Sequence, residues 1–159
     1  MSKFVLIDGH SILNRAFYGV PIFTNSEGLH TNAVFGFLNI MFKIIDSKQP
    51  DYMAVAFDVH QPTFRHEMFK DYKGTRKPMM EELREQVPVI KELLQKMNIT
   101  TVELPGYEAD DVIGTLSKKG EKAGMEVDVI SGDRDLLQLA SDHITTVSYT
   151  HLRAHETCA

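Results

Sequence analysis

The feature that most restricts this chain is an alternation of short apolar runs, each leading into acidic residues, with segments of helical length and period. Lys3-Phe-Val-Leu-Ile-Asp8, Tyr52-Met-Ala-Val-Ala-Phe-Asp58, Thr100 to Leu104 and Glu126 to Ser131 read as buried strands. A short helix is expected around Ser11 to Tyr18. A second, over 31–48, carries Val34, Phe35, Leu38, Met41, Phe42 and Ile45 on most of its faces and is ended by Pro50. The stripe Met80, Leu83, Val87, Ile90, Leu94 and Met97 predicts an amphipathic helix for the core, which Pro88 must kink or split. Glu108 to Lys122 is a further helix, stopped by Gly124, and a helical turn starts near Arg134.

Unbroken apolar strands alternating with helices specify an α/β fold, a parallel sheet covered on both faces. No internal repeat, low-complexity tract or Pro/Gly linker divides the 159 residues, a length suited to one domain. With 43% hydrophobic and 25% charged residues, the chain is expected to fold and not to be disordered. The longest apolar stretch, Ala33 to Ile45, is broken by Gly36, Asn39 and Lys43, so no membrane span is expected. Phe4 to Ile7 is too short for a secretory signal. The single cysteine, Cys158, leaves no disulfide framework and no Cys-rich zinc site, and suits a reducing, cytoplasmic setting.

Seven acids occupy equivalent places in this grammar: Asp8 and Asp58 close strands, Glu108, Asp110 and Asp111 open a helix, and Asp133 and Asp135 follow the last long strand. Ligands of open parallel sheets bind beyond the carboxyl ends of the strands, where these groups would converge. Each acid alone also suits a helix N-terminus. Together they repel unless protonated or neutralised, and hard divalent cations, Mg²⁺ or Mn²⁺, answer that need with oxygen ligands. Zinc lacks its usual spacings, and His10, His60 and His66 read as surface or satisfied residues. Neither a dinucleotide glycine motif nor a Walker loop occurs.

The net charge of −5 speaks mildly against a nucleic-acid partner, but it is unevenly spread. Residues 61–80 hold Arg65, Lys70, Lys73, Arg76 and Lys77 against Glu67 and Asp71, a local +3 that leaves −8 elsewhere. Without the seven acids the rest of the chain is +2. A metal site in a slightly basic domain accounts for both figures. Residues 148–159 show no strand or helix period and no partner element. Their wording, Ser-Tyr-Thr-His-Leu-Arg-Ala-His-Glu-Thr, resembles translated sequencing adapter, and they are read as a non-native tail.

In order along the chain, Phe-Val-Leu-Ile-Asp8-Gly-His-Ser-Ile-Leu-Asn-Arg15-Ala-Phe, Ala-Phe-Asp58, Thr-Phe-Arg65-His-Glu, Tyr72-Lys73-Gly-Thr-Arg76, Gly106-Tyr-Glu108-Ala-Asp110-Asp111 and Ser-Gly-Asp133-Arg-Asp135-Leu-Leu-Gln-Leu resemble the 5′-nuclease (5′–3′ exonuclease) domain at the N-terminus of bacterial DNA polymerase I. That domain belongs to the flap endonuclease family. The resemblance implies a PIN-like α/β domain with a helical arch, of which residues 1–147 form the N-terminal part. It implies two-metal phosphodiester hydrolysis of DNA with 5′ ends or flaps, in replication and repair. Asp8, Asp58, Glu108, Asp110, Asp111, Asp133 and Asp135 match the family's metal ligands. Residues 59–80 match its basic arch, where Tyr72 would stack on a base and Lys73 and Arg76 would contact the scissile phosphate, giving these three catalytic roles. Arg15, Arg65, Lys70 and Lys77 would bind DNA. A monomer without membrane contact is expected, with a polymerase domain in cis in the full-length protein.

The family's further aspartate pair, in a Gly-Asp-x-Ser-Asp-Asn run, and its helix–hairpin element do not occur here. Weak or absent flap cleavage by this chain follows. The competing readings are a stand-alone PIN-type ribonuclease and an inactive DNA-binding fragment.

Overall fold

The structure, a computed structural model, describes residues 1–59 and 79–149 with their side chains, and the backbone of Thr150 and of 153–157. The order is β1 (Lys3–Asp8), α1 (Gly9–Gly19), α2 (Asn32–Lys48), β2 (Tyr52–Ala56), α3 (Glu81–Arg84), α4 (Gln86–Lys96), β3 (Thr100–Val102), α5 (Ala109–Lys122), β4 (Glu126–Ser131), a 3-10 turn (Arg134–Leu139), β5 (Ile144–Thr150) and β6 (Arg153–Thr157). The sheet runs β3-β2-β1-β4-β5-β6. Its first five strands are parallel and β6 is antiparallel.

Side chains alternate across the sheet, and both faces are covered, as the apolar runs require. Val5, Ile7 and Val55 point to α1, α2 and α4, meeting Ile12, Leu13, Phe37, Met41, Ile90 and Leu94. Leu6, Ala54, Val127 and Val129 face the other way, onto Val112 and Ile113 of α5 and Leu136 of the 3-10 turn. Along the stripe that begins at Met80, Leu83, Ile90 and Leu94 are buried, whereas Met80 and Met97 are exposed ends.

Pro88 does split its helix. Lacking an N–H, it cannot bond the carbonyl of Arg84, and α3 ends there, with Glu85 between it and α4. Helix α2 stops at Gln49, which takes a left-handed φ of 47° one residue before Pro50.

A buried polar relay joins α1, α2 and α4. Asn32 Nδ2 donates to the carbonyls of Phe17 (3.0 Å) and Val20 (3.1 Å), closing the C-terminal end of α1. Gln86 Oε1 accepts from the N–H groups of Ala33 (2.8 Å) and Val34 (3.1 Å), opening α2. Its Nε2 donates to Asn32 Oδ1 (2.9 Å) and to the Glu82 carbonyl (2.9 Å). Thr31, the residue before α2, makes no side-chain cap, so a side chain from 53 positions downstream does that work.

The structure corrects the expectation that residues 148–159 lack a strand and a partner. β5 continues to Thr150 and pairs with β6, Ser148 opposite His155. A parallel edge strand has unpaired backbone groups, and an antiparallel return satisfies them at once.

Candidate active site

The order of strand addition reverses at β1: the chain builds β2 and β3 on one side of it, then crosses to lay down β4 and β5 on the other. The carboxyl ends of β1 and β4 therefore border the switch-point crevice. Asp8 ends β1 there and is buried. Its Oδ1 accepts from the Ser11 N–H (3.5 Å), capping α1, while Oδ2 accepts from Ser131 Oγ (3.0 Å) at the end of β4.

The loop after β4 is clamped onto α1. Ser11 Oγ accepts from the Gly132 N–H (2.7 Å), and Arg15 Nη2 donates to the Gly132 carbonyl (3.0 Å). Ser131 Oγ also accepts from the Asp133 N–H (2.9 Å). A Cβ at position 132 would lie 2.7 Å from Arg15 Nε and 2.9 Å from Ser11 Oγ. Gly132→Ala is therefore expected to cost about 1–3 kcal/mol by forcing both side chains aside, read as a lower urea midpoint at unchanged slope. Wild-type stability in this variant would remove the clamp from the account.

Asp58 lies just beyond β2. Its Oδ1 accepts from the Ala109 N–H (2.7 Å) at the start of α5, and its own N–H donates to His10 Nδ1 (3.1 Å). Glu108, buried, precedes α5, and its N–H donates to Asp111 Oδ2 (3.0 Å). Asp133 caps the 3-10 turn through the Asp135 N–H (2.9 Å).

Asp8, Asp58, Glu108, Asp110 and Asp133 line one cleft of about 880 Å³, together with Arg15. His10, Asn14 and the exposed Arg134 also line it. Asp111 and Asp135, read from sequence as ligands beside these, are not among the lining residues. Asp111 is engaged in closing the first turn of α5, and Asp135 is exposed. Tyr72, Lys73, Arg76, Arg65, Lys70 and Lys77 lie outside the described residues, as do His60 and His66.

One acid of the cleft, Asp8, is under charge stress. Burial, then the charge of Asp110, with Asp58 adding, pushes the Asp8 carboxyl up to about 7 against the opposing hydrogen bonds of Ser131 and Ser11. Burial holds His10 below its ordinary value, with Lys91 reinforcing and Asp58 opposing. Among the described residues no group of three or more acids or histidines stands as a ready-made metal cage. Several carboxylate oxygens are turned to backbone N–H groups instead. The donors are oxygens of carboxylates around a negative cleft, a set that fits hard divalent cations.

Ser11, Ser131 and Gly132 were quoted in the motifs without a role. Their signal is position: Ser11 is three residues past Asp8, and Ser131-Gly132 stand immediately before Asp133.

Strand order, switch-point cleft and carboxylate lining define a PIN-like α/β domain of the 5′-nuclease kind. Residues 3–158 match the model of the family described as "5'-3' exonuclease, N-terminal resolvase-like domain", and the chain belongs to that family. It is 53% identical to DNA polymerase I of Bacillus subtilis over 148 residues, 93% of this chain and 17% of that protein. It is 40% identical to a 5'-3' exonuclease of Aquifex aeolicus over 148 residues, 93% of this chain and 51% of that one. The chain thus spans less than a fifth of the polymerases it matches and about half of the free exonuclease. Its fold matches a solved structure of T5 5'-exonuclease with bound divalent metal ions (zinc), with a TM-score of 0.73 and 24% identity, covering 96% of this chain and 57% of that one. No helix among the described residues is long and apolar enough to cross a membrane.

Proposed function

We propose that this chain is the N-terminal part of a metal-dependent 5′–3′ exonuclease and flap endonuclease, hydrolysing DNA phosphodiesters in replication and repair. The reading includes Mg²⁺ or Mn²⁺ as cofactor, a cytoplasmic monomer, and a polymerase domain in cis in the full-length protein. The observation that carries it is Asp8, raised toward neutrality by its burial and then by the charges of Asp110 and Asp58, in a cleft at the sheet's switch point. Such an arrangement gains most from a divalent cation.

Asp8, Asp58, Glu108, Asp110 and Asp133 would hold the ions, with Asp111 and Asp135 acting from farther out. Bound there, a divalent ion supplies an activated water and charge stabilisation at the phosphate. Ser131 and Ser11 hold Asp8 in place, and burial raises its carboxyl to about 7, so a bound cation would favour its charged form. Arg15 fixes the loop carrying Asp133 and presents positive charge to a bound phosphate, with Arg65, Lys70 and Lys77 adding contacts along the strand. Tyr72, Lys73 and Arg76 would stack on and clamp the 5′ strand at the scissile phosphate. The non-native origin of 148–159 is a separate proposal, supported by its wording and tested by the genomic reading frame beyond Val147.

The test is single-turnover cleavage of a labelled 5′-flap DNA with Mn²⁺, using this chain and one extended by the region its relatives carry. Slow DNA cleavage here, faster cleavage by the extended form, and a loss of ~100-fold or more with Asp58→Asn are expected. Faster cleavage of single-stranded RNA would favour a ribonuclease. DNA binding indifferent to metal and to Asp58→Asn would favour a non-catalytic module. Equal rates for the two lengths would overturn the reading of this chain as an incomplete site.

A further inference from the structure

We propose that His10 is a positioning residue for Asp58, acting as a hydrogen-bond acceptor in its Nε2-protonated form; this rests on the reading of Asp58 as a metal-site carboxylate. The Asp58 N–H lies 3.1 Å from His10 Nδ1, so that nitrogen must present its lone pair and the ring proton must sit on Nε2. Asp58 Oδ2 is 3.9 Å from the same nitrogen, beyond a hydrogen bond, so the ring holds the main chain and not the carboxylate.

Asp58 follows the last residue pair of β2, and nothing in the sheet ladder fixes it. Among the described residues it has two anchors, the His10 ring on its N–H and the Ala109 N–H on its Oδ1. Between them they set the carboxylate at the cleft wall, with Oδ2 making no hydrogen bond among the described residues. The ring is itself held. It packs edge-on against Phe57, 5.5 Å between centroids at 83°. The other partners of Phe57 include Lys91, whose Nζ is 5.2 Å from its ring centre and 3.0 Å from Glu103 Oε2. Gly9 permits this approach, since a Cβ there would lie 2.5 Å from Phe57 Cε1 and 2.9 Å from the Ala56 carbonyl. A residue that orients a ligand through a hydrogen bond typically changes metal affinity by 10–100-fold when removed.

Two measurements on the whole chain test this. In the uniformly ¹⁵N-labelled protein, a through-hydrogen-bond nitrogen–nitrogen coupling should link the Asp58 amide to His10 Nδ1, and its absence overturns the proposal. Mn²⁺ titration followed by the spectroscopic signal of free Mn²⁺ should show His10→Leu binding ~10-fold or more weakly. His10→Asn, which keeps an acceptor near the Nδ1 position, should bind within about threefold of the unsubstituted chain. In an Asp58→Ala background His10→Leu should have no further effect. Unchanged affinity in His10→Leu, no rescue by asparagine, or an equal loss without Asp58 each overturns the positioning role. If the unsubstituted chain takes up no Mn²⁺, the proposed function fails, and the coupling alone judges the hydrogen bond.

Discussion

Without divalent cations at about pH 8, Asp8→Asn is expected to stabilise the chain by on the order of 2–4 kcal/mol. The sign follows from Asp8 being raised in the folded state, from 3.8 to about 7. Below the lower value both states hold the proton and Asp8 contributes nothing. Between the two the folded state binds more protons, so stability falls as pH rises, and above about 7 the whole penalty is present. Asparagine carries no charge, and with its oxygen on the Ser11 N–H its amide can donate to Ser131 Oγ, so it removes the penalty without emptying the site. Urea unfolding of both forms from about pH 4 to about pH 8 should give a gap that opens with rising pH. Adding Mn²⁺ should close or reverse it, because the ion binds more tightly to the form that keeps its carboxylate. A gap independent of pH would show that Asp8 is not under charge stress.

Gln86→Leu is expected to cost about 3–5 kcal/mol, although it puts an apolar side chain into a fully buried place. The glutamine serves the Ala33 and Val34 N–H groups, Asn32 Oδ1 and the Glu82 carbonyl. Leucine leaves the first three without that partner in a region water does not reach. Loss should extend to α1, since Asn32 closes its C-terminal end. The measurement is the urea midpoint, together with faster proteolysis between α1 and α2. A cost of less than about 1 kcal/mol would mean that water or a rearrangement replaces the amide.

Much of this molecule is legible in its letters, for local reasons. Glu126 to Ser131 is a strand because the β-branched Val127, Val129 and Ile130 favour a pleated, buried backbone, and its observed bounds match the expected ones. Pro88 announces a break because a missing N–H is a property of one residue. Helix α1 is longer than expected, Gly9–Gly19 against Ser11 to Tyr18, since Asp8 starts it earlier by accepting from the Ser11 N–H. The hairpin of β5 and β6 is not legible in the letters because its pairing depends on an edge that exists only once the sheet is assembled.

The site divides the same way. That acids sit after strands is read directly from the sequence, and the cleft does gather Asp8, Asp58, Glu108, Asp110 and Asp133. Asp110 and Asp111 are neighbours of one type, yet only the first lines the cleft, because the 100° step between helix residues turns the second toward its own helix start. No motif distinguishes them without that turn.

The alternation of apolar runs and helices, by itself, determined a parallel α/β sheet with acids along one edge, since solvent sorts residues by type and period before any long-range contact forms. Tertiary structure alone decided which acids press on Asp8, that Gln86 opens a helix 53 residues away, and that His10 holds the main chain of Asp58. Those outcomes depend on strand order and on distances of a few ångströms between residues far apart in sequence. Hydrogen bonds and charge repulsion are sensitive at that scale, whereas hydrophobic patterning is not.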